Sequence, residues 1–173
     1  MIFQTFGAFP IRLDNYRNIP DDLGEFWTQV EQEKTGLCNA KGCYVFGIKT
    51  SGSPSIVPWY VGKTAKSFDD ECFQPHKRVI YAKAISYYER ATPYLFLISR
   101  LTTSGALYKG AGAVATNFLE RHLISLVLQV NSDLLNKRDT KLYMEVKLRG
   151  ILNSDVGKPD KAAKELRLAL GLQ

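Results

Sequence analysis

The most constraining stretch of this 173-residue chain is a pair of aromatic and β-branched runs, 41–50 and 56–63, separated by Ser51-Gly52-Ser53-Pro54-Ser55. Runs rich in Tyr, Val, Phe and Ile form strands, and a short Gly/Pro/Ser cluster leaves room for a turn but not for a crossover helix. The pair therefore predicts an antiparallel hairpin. Pro58 has no amide hydrogen to give to a ladder, which puts the second strand at an edge or at a bulge there.

Other elements follow from periodicity. Pro20-Asp21-Asp22 opens a helix whose Leu23, Phe26, Trp27 and Val30 fall on one stripe, and Gly36 stops it. Pro75 suits the first turn of a helix over 76–90. The run 94–101 reads as a buried strand, bounded by Pro93 and by Thr102-Thr103-Ser104-Gly105. The segment to Ala115 reads as loop, 117–130 as the strongest helix, 134–139 as a turn and 159–170 as a short helix. Residues 143–152 fit helix or strand equally, and the N-terminal segment to Pro20 reads as irregular. The expected fold is α+β: a small, mostly antiparallel three-stranded sheet flanked by helices, with a C-terminal helical tail. The expected organisation is an N-terminal extension with one helix over 1–39, a domain over 40–140 and a basic tail over 141–173.

The chain carries 23 Lys+Arg against 17 Asp+Glu, a net charge of +6. Residues 1–59 hold 5 basic and 6 acidic side chains, which leaves 18 and 11 for residues 60–173. The whole positive balance therefore lies after Trp59 and directs a polyanionic partner there. No apolar run reaches the ~18 residues of a membrane span, so no membrane is expected. The N-terminus lacks the basic start, apolar core and small-residue cleavage site of a secretory leader. The three cysteines form no CxxC pair, and the expected setting is cytoplasmic and reducing. Cys38, Cys43, Cys72 and His76 could be written as a zinc set, but a cysteine inside a strand or beside Phe73 is ordinarily a small buried thiol.

The 117–130 helix holds the sharpest chemical signal. At about 100° per residue, Leu119, Leu123, Ile124, Leu126, Val127, Leu128 and Val130 cover one arc, and Glu120 falls in the middle of it. A carboxylate facing a core must be neutralised, paired or bound to a cation. Two readings follow: a capping box with Asn117 as N-cap, or a site carboxylate facing the sheet. On the hairpin, Tyr44 and Tyr60 stand in neighbouring strands. Each offers a proton donor and acceptor on a stiff arm, and Gly62 permits close approach beside them. Cross-strand aromatic pairs also stabilise hairpins without any chemistry.

Gly42-Cys43-Tyr44 followed by Trp59-Tyr60-Val61-Gly62-Lys63-Thr64 resembles the two short signatures of the GIY-YIG nuclease superfamily, the second in the Tyr-Val-Gly-Lys form of its repair-type members. Lys77-Arg78-Val79 is similar to the family's helical arginine, Leu119-Glu120 with Leu123-Ile124 to its metal-binding glutamate, and Leu135-Asn136 to its closing asparagine. The resemblance spans about residues 40–140.

It implies a divalent-metal-dependent endonuclease that hydrolyses DNA, with RNA as the alternative substrate, through one Mg²⁺ or Mn²⁺ ion. Glu120 would hold the ion, Tyr44 would orient or deprotonate the attacking water with Tyr60 assisting, and Arg78 would clamp the phosphate. Lys63 would assist near the tyrosines and Asn136 would hold the site's shape. Lys63, Lys66, Lys77, Arg78, Lys137 and Arg138 are the candidate DNA contacts. The stretch between Tyr60 and Arg78, with Phe68-Asp69-Asp70-Glu71-Cys72 inserted, is longer than in compact members, so Lys77 stands as an alternative to Arg78. Asn131 likewise stands as an alternative to Asn136. Tyr81 and His76 are candidate acid/base groups, His76 also reading as an ordinary helix-start histidine. A non-catalytic nucleic-acid-binding module on the same fold is the rival function.

Overall fold

The computed structural model describes residues 1–110, 112–136, 140 and 160–169. The chain divides into two compact units, Met1–Asn136 and Lys137–Gln173. In the first unit a four-stranded antiparallel sheet has the order β1-β4-β2-β3, built from β1 (Ile2–Pro10), β2 (Gly42–Thr50), β3 (Val57–Thr64) and β4 (Ala91–Leu101). Its helices are α1 (Gly24–Glu33), α2 (Phe68–Cys72), α3 (Pro75–Ser86) and α4 (Ala113–Leu128). In the second, α5 (Lys161–Ala169) starts where Asp160 Oδ1 accepts the Ala163 amide at 2.8 Å. The expected helix or strand over 143–152 lies outside the described residues.

The expected hairpin is β2–β3, with its register shift between Phe46 and Gly47 opposite Pro58. The sheet has four strands rather than three because Ile2–Pro10, expected to be irregular, pairs with β4. Its inward residues Phe6 and Phe9 are three apart, and a register shift between them breaks the two-residue alternation of a strand. Gly7 makes that shift possible: it sits at φ +101°, and a Cβ there would come within 2.8 Å of the Phe9 ring.

Cross-strand partners share a sheet face, so the β2–β3 register sorts the hairpin into two sets. Tyr44 pairs with Gly62 and Phe46 with Tyr60 on one face; Cys43 pairs with Lys63 and Val45 with Val61 on the other. The tyrosine face carries the main core. Phe46 stacks on Tyr81 of α3 at 4.1 Å, and Phe26 of α1 meets Phe9 and Phe73 edge-on. The second face is covered by α4, whose Ile124 and Val127 are buried and whose Thr116 carbonyl accepts from the Cys43 thiol at 3.4 Å. This helix begins at Ala113 with Gly112 as N-cap, so Asn117 is interior and the capping-box reading of Glu120 is not what forms.

The free edge of β3 is covered from the chain after α4. Asn131 Nδ2 donates to the Pro58 carbonyl, the Leu135 amide to the Trp59 carbonyl, and Asn136 bonds both backbone groups of Val61. Capping an edge strand in this way removes a template for unwanted pairing. Among the described residues no helix is long and apolar enough to cross a membrane.

Candidate functional site

On the tyrosine face the centre of the site is a lysine. Lys77, in the first turn of α3, is 8% exposed. Its ammonium donates to the Tyr60 hydroxyl at 2.6 Å, lies 4.8 Å from the Tyr60 ring centre and 5.9 Å from that of Tyr44, and meets the Glu71 carboxylate at 3.5 Å. A desolvated ammonium needs such partners: a carboxylate, a hydroxyl lone pair and the negative faces of two rings. Gly62 makes the arrangement fit, since a Cβ there would stand 2.2 Å from Tyr44 Cζ and 2.4 Å from its hydroxyl.

The neighbouring arginine does something else. Arg78 donates from Nε to the Phe73 carbonyl and from Nη1 to the Ile19 and Pro20 carbonyls, each at 2.9 Å, with Asp21 at 3.5 Å. It ties the chain ahead of α1 to α3, and those donors are committed to protein backbone. Adjacent helical positions diverge by about 100°, and here it is Lys77 that turns toward the tyrosines.

Tyr44 and Tyr81 are fully buried and their hydroxyls have no hydrogen-bond partner of ordinary geometry. Burial drives both hydroxyls well above the usual tyrosine range, and nearby Tyr60, Cys72 and Glu71 reinforce the neutral form. Tyr44 is therefore held protonated, whereas Tyr60 is half-buried and bonded to a cation.

Glu120 and Lys63 form the second pair, at 2.6 Å, on the α4 face of the sheet. Glu120 thus answers the desolvation of an acid on an apolar arc with an ammonium. Beside it, burial first and then the Glu120 charge push the Cys43 thiol up to about 12. As a metal ligand Glu120 is a hard oxygen donor, the kind Mg²⁺ and Mn²⁺ take singly while keeping waters and substrate oxygens. Its fit is to an ion held by one carboxylate, with Lys63 sharing that carboxylate.

One member of each pair reaches the same pocket. A recess of about 430 Å³ at the end of β3 is walled by Lys63 and Lys66, by Glu71, by Lys41 and Arg100, and by Thr116 and Asn117 of α4. Lys63 brings the Glu120 pair to it and Glu71 brings the Lys77 pair.

Of the residues expected from the sequence, Tyr44, Tyr60, Tyr81 and Lys77 come together. Lys63, Lys66 and Glu120 gather across the sheet, Lys66 exposed at the pocket rim. Asn136 holds β3. His76 is exposed, and Cys43 and Cys72 lie on opposite faces, so the zinc set does not assemble. Lys137 and Arg138 lie outside the described residues. Glu71 is the member that sequence reasoning missed. Phe68, Glu71 and Cys72 are spaced i, i+3, i+4, and the two apolar ones are buried. An acid on that stripe carries the same signal that singled out Glu120. No family model, curated protein or solved structure matches the chain, so the motifs and this geometry are what bear on its function.

Proposed function

We propose that the chain is a divalent-metal-dependent endonuclease that hydrolyses DNA phosphodiester bonds in the pocket at the end of β3. The observation that carries this reading is that one recess is walled by one member of each acid–lysine pair, Lys63 of the pair with Glu120 and Glu71 of the pair with Lys77, whose ammonium also donates to Tyr60. Lys63, Lys66 and Arg100 attract the phosphate, and a recess partly closed to water strengthens each of those charges. Tyr60 orients the attacking water: with Lys77 donating to its oxygen, its own proton and remaining lone pair stay available to another group. Lys77, by donating to that oxygen, fixes the direction of the Tyr60 hydroxyl and adds positive charge behind it. Tyr44, buried and protonated, fixes the position of this pair. Glu120 would hold Mg²⁺ or Mn²⁺, which when bound would supply Lewis-acid polarisation of a phosphate oxygen.

A second reading, a nucleic-acid-binding module without chemistry, is favoured by one feature: Glu120 and the two tyrosines project from opposite faces of the sheet. Nicking of supercoiled plasmid with Mg²⁺, Mn²⁺ or EDTA separates the two. Metal-dependent nicking by the native chain that is lost in Glu120→Gln and Lys77→Met is the expected result. DNA binding with no metal-dependent nicking favours the module, and equal nicking by native chain and Glu120→Gln overturns the metal assignment.

A further inference from the structure

A second recess of about 790 Å³ adjoins the first, and the two share Lys41 and Tyr108 as walls. It lies between the chain after α1 and the loop after β4. Lys34, Lys41 and Lys109 line it, and no acidic residue does among the described residues. Two of these cations precede Trp59, in the half of the chain whose overall charge balance is not positive. Folding thus concentrates charge where composition did not point. At the shared wall the Arg100 guanidinium lies 3.9 Å from the Tyr108 ring centre, a cation held against an aromatic plate. Asn39 and Leu107 add amide and apolar surface beside it.

We propose that the two recesses form one track for an unpaired nucleic-acid strand, running over Lys34, Lys41 and Lys109 and past the Arg100–Tyr108 plate to Lys63 and Lys66. Positive charge lines both ends of the path, as a phosphodiester backbone requires, while the aromatic and amide walls suit bases. The recesses are concave, which admits a single backbone; a duplex presents a convex rod that would meet their rims. The inference rests on the nuclease reading only for what happens at the far end, and it makes the substrate an unpaired end, flap or loop.

The test is binding, measured in EDTA by fluorescence anisotropy with a short labelled oligothymidylate and with a duplex of equal length, across a salt series. The native chain should bind the single strand more tightly than the duplex. The triple variant Lys34→Gln, Lys41→Gln, Lys109→Gln should lower the slope of log affinity against log salt by about 2, at ~0.7 per lost single-strand contact. That corresponds to about a 100-fold loss at 0.1 M salt. Lys109→Gln alone should lower the slope by ~0.7 and guards against an unfolded triple variant, while Lys83→Gln on α3 should leave it unchanged. An unchanged slope in the triple variant, or a duplex bound as tightly as the strand, overturns the proposal. Strand binding without plasmid nicking would count against the nuclease reading and leave the track standing. Nicking with duplex preferred would do the reverse.

Discussion

The two acid–lysine pairs lie on opposite faces of one hairpin and solve different problems. Lys77 and Glu71 sit in the main core among three tyrosines, and Lys77 is almost wholly covered. Lys63 and Glu120 sit under α4 near the strand end, where the lysine side chain is 41% exposed. Burial makes the first pair depend on its geometry, because an ammonium out of water has no other solvation. In the second pair the lysine is the wetter member, so water can replace it and leave the Glu120 carboxylate open to another cation. Alternation along a strand produces the contrast: Tyr60 and Lys63 are three apart and project to opposite faces, and only at the end of β3 can the two faces serve one recess.

The largest effect should come from exchanging the roles of two adjacent residues. Lys77→Met should lower the nicking rate by about 10²–10³, the usual consequence of losing a preorganised charge at a reacting group. Arg78→Lys should leave the rate per folded molecule unchanged while costing about 2–4 kcal/mol of stability through the Ile19, Pro20 and Phe73 carbonyls. Nicking rates beside urea denaturation separate the two. Loss of rate in Arg78→Lys with Lys77→Met active would return the arginine to the site.

Packing on the tyrosine face gives the next test. Gly62→Ala drives a methyl into the Tyr44 ring and should destabilise by about 1–3 kcal/mol. Tyr44→Phe should recover little of this, since ring carbons at 2.2 and 2.6 Å remain in the way. Full recovery by Tyr44→Phe would show that the hydroxyl alone fills the space.

How much of this could be read from the sequence depends on whether the signal was local. The hairpin was legible because a turn cluster between two β-rich runs has one simple outcome. Strand β1 was not, because the bulge at Gly7 destroys the alternation that identifies a strand. The motif residues were legible as types, but a one-dimensional pattern does not rotate a helix. Lys77 and Arg78 are neighbours, and only the packing of Phe46 on Tyr81 fixes which of them faces the tyrosines. Glu71 was hidden by its acidic neighbours Asp69 and Asp70, which make α2 look like a solvated insertion. The Gly/Ala-rich start of α4 concealed its first turn in the same way.

The buried hydroxyls and thiols set the pH response, and they lie on both faces. Tyr44 and Tyr81 on one side, and Cys43 on the other at about 12, all have folded-state pKa values above their unfolded ones. Each stays neutral when folded, so its stabilisation is fully present below the unfolded value. It falls progressively as pH rises above about 9 for the thiol and about 10 for the phenols, up to their raised folded-state values. Urea denaturation should therefore give a stability that starts to decline near pH 9 and steepens above 10, by about 1.4 kcal/mol per pH unit for each group involved. Cys43→Ala should remove its own share of the earlier decline, because burial also raises the Cys38 and Cys72 thiols, and Tyr44→Phe should remove part of the later. A stability flat to pH 11 would mean that these groups are solvated.

The smallest effect is expected where the sequence signal was sharpest. Glu120 stood out as an acid on an apolar arc, which invites the idea that its partner is important to folding. Yet Lys63 is substantially exposed, and a pair with one member in water contributes about 0–1 kcal/mol because solvent already screens the ammonium. Lys63→Met should therefore shift the urea midpoint only slightly, while Lys77→Met, which strips a covered carboxylate and the Tyr60 hydroxyl of their cation, should cost about 3–5 kcal/mol. Glu120 is itself mostly covered, at 18% side-chain exposure, so with Lys63 absent its remaining charge calls for another cation. Adding Mg²⁺ or Mn²⁺ should then stabilise Lys63→Met more than the native chain, because the ion no longer shares the carboxylate with an ammonium. Equal stabilisation of the two by metal would place the ion elsewhere and reduce the Glu120–Lys63 pair to a structural contact under α4.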